Sequence, residues 1–230
     1  MKKYFNHSQW KRLGLFMLTL TLLASLLVSC SEQYNSPSEP EPSLTPKTLL
    51  KTALPAQGTS TTLDFATWNL EWFGDTENGP SDEALQLENV QHIIAGLDMD
   101  LWSVQEVTSV PHFDDLVSQL SGYDGFLAND PSVTDGAAYY SDYDDNEMKV
   151  GLIYKTTIVT IQSAKIILKD YDYEFAGRPP VEVQLSASID GVSQDLVVIL
   201  LHAKAGARFD AWERRLVASE ALKDYLDSTW

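Results

Sequence analysis

Between Phe65 and Leu201 the sequence passes through seven short stretches rich in β-branched and aromatic residues. Three of them, Phe65–Leu70, Asp100–Val107 and Gln194–Leu201, carry or run into a polar side chain suited to chemistry: Asn69, Glu106 and His202. Strand ends of this kind deliver functional groups to the rim of a sheet, where open α/β folds build their sites. The first stretch continues as Phe-Ala-Thr-Trp-Asn-Leu-Glu-Trp-Phe-Gly (65–74) and reads as a buried strand held rigid by Trp68, Trp72 and Phe73. Asn69 offers a carbonyl acceptor and an amide donor. Glu71 has no clear chemical role and is expected to make a local hydrogen bond. Taken alone, this decapeptide fits a core strand entering a polar turn equally well.

The intervening segments complete an ordered pattern. Pro80-Ser81-Asp82-Glu83 predicts a helix start with Ser81 as N-cap, and Val90, Ile93, Ile94 and Leu97 follow at helical spacing. Strand, helix, strand predicts that the first two strands are parallel neighbours, with Asn69 and Glu106 on one rim. A helix over Pro111–Leu120 and a strand over Tyr123–Leu127 come next. Residues 128–147 read as a long polar loop. Its acids, among them Asp130, Asp135, Asp142, Asp144, Asp145 and Glu147, lack EF-hand spacing, so a solvated segment is favoured over a Ca²⁺ site. Met148–Lys155 and Ile158–Leu168 predict consecutive strands, and Asp190-Gly191 predicts a hairpin joining Val181–Ser188 to Gln194–Leu201. The last of these is apolar on both faces, which predicts a central strand. A helix over Phe209–Leu226 carries Phe209, Trp212, Leu216, Leu222, Tyr225 and Leu226 on one side.

The 230 residues favour one domain with appendages. Lys2, Lys3, Lys11 and Arg12 precede an apolar run, Leu13–Val28, that ends in Leu27-Val28-Ser29-Cys30. This end resembles a bacterial lipobox. The resemblance implies a signal peptide over residues 1–30, lipidation at Cys30 and export as a lipoprotein of the outer membrane or cell surface. An uncleaved membrane anchor is the alternative. Residues 31–60, rich in Ser, Pro, Thr and Glu, read as a disordered tether, which leaves 61–230 as the domain. Cys30 is the sole cysteine, so the domain has no disulfide framework. Without the first 30 residues the chain holds 12 basic against 33 acidic side chains, a net charge of −21. Such a surface repels polyanions at long range and argues against a module that grips nucleic acid through a basic stripe. It leaves room for an enzyme that binds a phosphate ester locally through a metal ion.

Arg178, just ahead of Val181–Ser188, adds a guanidinium to the amide, carboxylate and imidazole. That set suits metal-assisted hydrolysis of a phosphate ester: a carboxylate for a hard cation, an imidazole for the proton, a guanidinium for the phosphate. The pieces Ala-Thr-Trp-Asn-Leu-Glu-Trp-Phe-Gly (66–74), Ser-Val-Gln-Glu-Val (103–107), Lys-Val-Gly-Leu-Ile-Tyr (149–154), Arg-Pro-Pro (178–180) and Leu-Leu-His-Ala-Lys-Ala (200–205) then stand in a telling order. In that order the chain resembles the endonuclease/exonuclease/phosphatase superfamily of DNase I-like folds. The resemblance implies an α/β (α+β) class: two face-packed, mostly antiparallel β-sheets flanked by helices, a four-layer sandwich. It also implies a phosphoesterase dependent on Mg²⁺, with Mn²⁺ or Ca²⁺ as alternative cations. By position, Glu106 matches the family's metal-binding glutamate, with Asn69 beside it as first-strand site residue and second metal contact. His202 matches the histidine that acts at the scissile phosphate, and Arg178 and Lys204 fall where phosphate contacts are expected.

The implied substrate is a phosphodiester, nucleic acid first. A phosphatase or sphingomyelinase-type activity is the enzymatic alternative, and a non-catalytic surface lipoprotein that uses the fold as a binding scaffold is the rival. No protein partner is expected, and the membrane is reached through the lipid anchor. Two further motifs of the superfamily, Gly-Asp-Phe-Asn and Ser-Asp-His, do not occur downstream of His202. The expectation is therefore a domain incomplete at its C-terminus, with open sheet edges, and a 230-residue chain that is nearly inactive by itself.

Overall fold

The computed structural model describes residues 53–140 and 147–230. The signal region, Cys30, most of the tether and the loop acids Asp142, Asp144 and Asp145 lie outside the described residues. Strands β1 (Phe65–Phe73), β2 (Leu101–Val107), β3 (Tyr123–Leu127) and β5 (Lys149–Lys155) form one sheet in the order β1-β2-β5-β3. Strands β4 (Val133–Thr134), β6 (Val159–Ile166), β7 (Val181–Ile189) and β8 (Val192–Leu200) form the other in the order β4-β6-β7-β8. The pairs β1–β2 and β4–β6 are parallel and the other four are antiparallel. The sheets are therefore mixed and mostly antiparallel, as expected.

Alternation along each strand assigns the layers. Leu101, Phe126, Val150 and Leu152 of the first sheet pack against Ile166, Val181, Val183 and Leu185 of the second, and all are buried. The other face of the first sheet presents Trp102, Val104 and Ile153 to helices α1 (Glu83–Leu97) and α2 (Val110–Ser118). Those helices answer with Val90, Ile94, Phe113 and Leu116. On the second sheet, Glu182 points away from its inward neighbours Val181 and Val183 and meets Tyr225 of α4 (Phe209–Thr229). The succession of layers is helix, sheet, sheet, helix.

Several local expectations change. The N-cap of α1 is Asp82, whose Oδ1 accepts from Leu85 N at 2.9 Å, one residue later than Ser81. Among the described residues β1 is an edge strand with every second residue from Phe65 to Glu71 facing out, and the register shift after Asn69 turns Phe73 inward, so Phe65 is 48 % exposed while Phe73 is fully buried. Gly74 then closes the strand at φ +85°, where a Cβ would come within 2.5 Å of Ser109 Cβ. The polar loop after β3 contains β4 and a single helical turn, α3 (Gly136–Tyr139). Part of the expected tether belongs to the domain: Gln57 N and Gly58 N donate to Leu97 O at 2.9 and 3.1 Å.

The larger corrections concern β8 and α4. β8 pairs with β7 on one side, and among the described residues nothing pairs with its other edge. Its apolar character on both faces states what burial the side chains favour, whereas cover on the far side must come from another segment. In α4 the face against the sheet carries Ala211, Ala218 and Ala221. Phe209, Trp212 and Leu216 are 71 %, 49 % and 41 % exposed. Helical spacing groups these large residues on one stripe, but small alanines allow the closer approach to the sheet.

Candidate active site

The register of the first sheet places two functional groups side by side. Asn69 on β1 stands opposite Gln105 on β2, so Asn69 and Glu106 emerge together at the ends of parallel neighbours. Both strands bulge at this level. β1 shifts register between Asn69 and Phe73, and β2 shifts against β5 between Val104 and Val107. The bulges hold Glu71, Trp72 and Glu106 at φ of 55°, 53° and 61°, a left-handed backbone at residues that are not glycine. Such conformations cost on the order of 1–3 kcal/mol each and persist where neighbours enforce them.

Buried amides do the enforcing. Gln86 of α1 donates through Nε2 to Leu70 O at 2.9 Å and Glu71 O at 3.0 Å. Gln105 donates to Ser103 Oγ at 3.0 Å and Thr67 Oγ1 at 3.1 Å, fixing β2 just before its bulge. Asn69 Oδ1 accepts from Glu71 N at 2.9 Å, a turn in which the side chain mimics backbone. The local bond expected of Glu71 is therefore made by its backbone. The Asn69 amide nitrogen faces solvent with no bond among the described residues.

The second sheet supplies the other half. Val181 pairs with Leu200, so Arg178, three residues before β7, and His202, two residues after β8, lie at the same end. The halves meet where His202 Nε2 stands 3.4 Å from Glu106 Oε1. Burial pushes the His202 pKa down to about 4; the Arg178 charge adds to that and Glu106 opposes it. His202 Nδ1 is buried without a hydrogen-bond partner. Arg178 is 9 % exposed, its Nη1 faces Met148 Sδ at 3.3 Å, and its Nε has no partner. No carboxylate lies within ion-pair distance of it among the described residues. Burial lowers its pKa, while Glu147 and Glu106 act against that from further off.

A model of the Endonuclease/Exonuclease/phosphatase family matches residues 66–223. The chain belongs to this family. A search of the curated proteins gives no match. Among solved structures, a humanized D. rerio TDP2 carrying 14 mutations has a TM-score of 0.51 at 14 % identity, covering 74 % of this chain and 58 % of that one. The human Nocturnin catalytic domain with bound sulfate gives 0.44 at 16 % identity, covering 70 % and 56 %. A β-hairpin deletion mutant of beta toxin from Staphylococcus aureus gives 0.47 at 13 % identity, covering 73 % and 62 %. At these identities the TDP2 match speaks for the fold alone. The chain spans less than two thirds of each of these structures.

Family membership raises the question of a divalent cation. Among the described residues no three His, Cys, Asp or Glu side chains stand close enough to form a closed metal site. Glu106 and the second lone pair of Asn69 Oδ1 offer two hard oxygens at one rim. That set fits Mg²⁺, which binds through one or two carboxylates and keeps water and substrate phosphate as its other ligands. It is too small for a protein-built Ca²⁺ cage, which takes six to eight oxygens.

Four of the five expected site residues thus converge. Lys204 does not join them: its Nζ donates to Ala205 O at 3.1 Å, and no contact ties it to the others. Lys149 is the residue the sequence reading passed over. It is 5 % exposed at the same rim, with Nζ 2.7 Å from Glu147 O, 3.3 Å from Thr108 O and 6.0 Å from the Tyr140 ring centroid. Its signal was available: a lysine directly ahead of the apolar run 150–153 of β5 has to be satisfied at a strand end.

Proposed function

We propose that this domain hydrolyses phosphodiesters at the rim shared by Asn69, Glu106, Arg178 and His202, assisted by one divalent cation, Mg²⁺ first. Arg178 carries the reading. Its guanidinium is nine-tenths buried with no carboxylate at ion-pair distance among the described residues. An unpaired buried charge costs several kcal/mol, and an anionic ligand that completes the pair accounts for its presence. A phosphoryl group is such an anion, and a guanidinium matches two of its oxygens.

The remaining groups fit the same reaction. The oxygen of water attacks phosphorus, the bond to the leaving alcohol breaks, and a phosphomonoester and an alcohol result. The Asn69 amide nitrogen is free to donate to a phosphoryl oxygen. His202, neutral by burial, stands with Nε2 3.4 Å from Glu106, and the pair is placed to receive the proton of the attacking water. A bound phosphoryl anion raises the basicity of His202 from its depressed starting point. A cation on Glu106 and Asn69 would neutralise phosphoryl charge and ease deprotonation of water. The acidic surface favours short nucleotide diesters over long duplexes as substrate.

Two variants test this. Inorganic phosphate should raise the melting temperature of the wild type and leave Arg178→Met unmoved, while Arg178→Met melts no lower than wild type because an uncompensated charge is gone. The 230 residues are expected to turn over slowly by themselves, and turnover of a chromogenic phosphodiester with Mg²⁺ should fall further in both Arg178→Met and Glu106→Gln. A folded wild type without phosphate response or turnover on any phosphodiester would overturn the proposal. The reading extends to export: Cys30→Ser should move the protein from the membrane to the soluble fraction, and membrane retention would speak against a lipid anchor.

A further inference from the structure

We infer that the groove between the outer edge of β1 and helix α1 is a nucleobase subsite that adjoins the phosphate-handling rim. It rests on the phosphodiester reading above and names what lies next to the phosphate. The groove encloses about 380 Å³, within the roughly 300–1,000 Å³ typical of small-molecule clefts. Asn69 belongs to both groove and rim, so the two adjoin at the edge of β1.

The lining selects the ligand class. The half-buried indole of Trp68 contributes a flat apolar wall, backed by Trp102 with ring centroids 6.2 Å apart. Such a surface suits stacking by a planar heterocycle. Around it stand Asn69, Glu71, Asp82 and Asn89. Asp82 uses Oδ1 for its helix cap, and the Glu71 carboxylate makes no hydrogen bond among the described residues. These groups offer acceptors to the exocyclic amine of a base and amide donors to its ring nitrogens. Among the described residues no lysine or arginine lines the groove, so none of them attracts a second phosphate there. Gln86 keeps the wall rigid through its two bonds to Leu70 and Glu71 carbonyls. The phosphate belongs at Arg178 and the base at Trp68.

Leu85 sits at the groove mouth and is 44 % exposed, so a larger side chain there fills the groove with little strain on the core. Calorimetric titration with adenosine needs no phosphate chemistry and probes the groove alone. Adenosine should bind the wild type, about tenfold more weakly to Leu85→Trp, which fills the groove, and a few-fold more weakly to Asn89→Ala. The ratio of KM for adenosine 5′-(4-nitrophenyl phosphate) to KM for methyl 4-nitrophenyl phosphate should rise in the same order. Unchanged adenosine binding in a Leu85→Trp protein with native melting overturns the subsite. Choline binding as tightly as adenosine also overturns it, in favour of a cationic headgroup. Either result with both esters still hydrolysed leaves the hydrolase reading standing. Adenosine binding lost in Leu85→Trp, with neither ester hydrolysed, supports the subsite and removes the hydrolase.

Discussion

His202 shows how one side chain can couple site chemistry to stability. Burial and the Arg178 charge hold its pKa near 4, against the usual 6.5, and Glu106 recovers only part of the difference. Below about pH 6.5 an unfolded chain takes up a proton at this imidazole that the folded chain does not. Stability contributed here is therefore complete above pH 6.5 and declines as the pH falls towards 4. The limit of the loss is on the order of 3 kcal/mol. Urea melts between about pH 7 and pH 4.5 should show a smaller decline for His202→Gln than for wild type. Equal slopes would mean that other groups dominate acid unfolding. The same residue scale holds the part of the site hardest to read from sequence. Asn69, Glu106 and His202 announced themselves as polar residues at the ends of apolar runs. The left-handed backbone at Glu71, Trp72 and Glu106 had no such sign, because no glycine marks it. It is enforced by Gln86 and Gln105, whose roles appear once α1 and β2 are packed.

At the scale of elements, α4 is held by a polar anchor. Its sheet-facing alanines bury little area, so the Glu182 cluster beneath it matters more. Glu182 is 1 % exposed, with Tyr225 Oη at 2.6 Å, Lys165 Nζ at 3.2 Å and Gln184 Nε2 at 3.2 Å. Burial alone would raise the Glu182 pKa, but the bonds from Tyr225, Gln184 and Lys165 outweigh it and keep the carboxyl below its usual range. Tyr225→Phe should cost about 1.5–3 kcal/mol in urea unfolding, the range for a hydrogen bond to a charged group. A loss under about 0.5 kcal/mol would show that the alanines hold the helix by themselves. Strand positions were legible because period-two patterns and turn residues such as Asp190-Gly191 mark them locally. The edge position of β8 agrees with the open sheet edge expected from the absent downstream motifs and not with the strand's own apolar pattern, and the exposed stripe on α4 was not legible, since a side chain's preference for burial does not say whether a neighbour arrives. Lys165 and Glu182 belong to no motif in the sequence, and only the packing of β6, β7 and α4 brings them together.

For the whole molecule, net charge sets how substrate approaches. The chain carries −17 at neutral pH. If the proposed site at Arg178 takes an anionic oligonucleotide, the surface repels it on approach, and salt screens that repulsion. KM for a short oligonucleotide should therefore fall as NaCl rises from about 20 to about 200 mM, the reverse of a protein that binds by releasing counterions from a basic surface. A KM that climbs with salt would place a local cationic patch in control. The seam between the sheets has another consequence. Glu106 rides on one sheet and His202 leaves the other, so their 3.4 Å spacing is fixed by the thickness of the layer between them. Leu152 and Val183, deep in that layer, act as gauge blocks. One extra methylene there would be read at the rim as a misaligned pair. Drift in the greasy interior of this protein is thus policed by the tolerances of its polar edge.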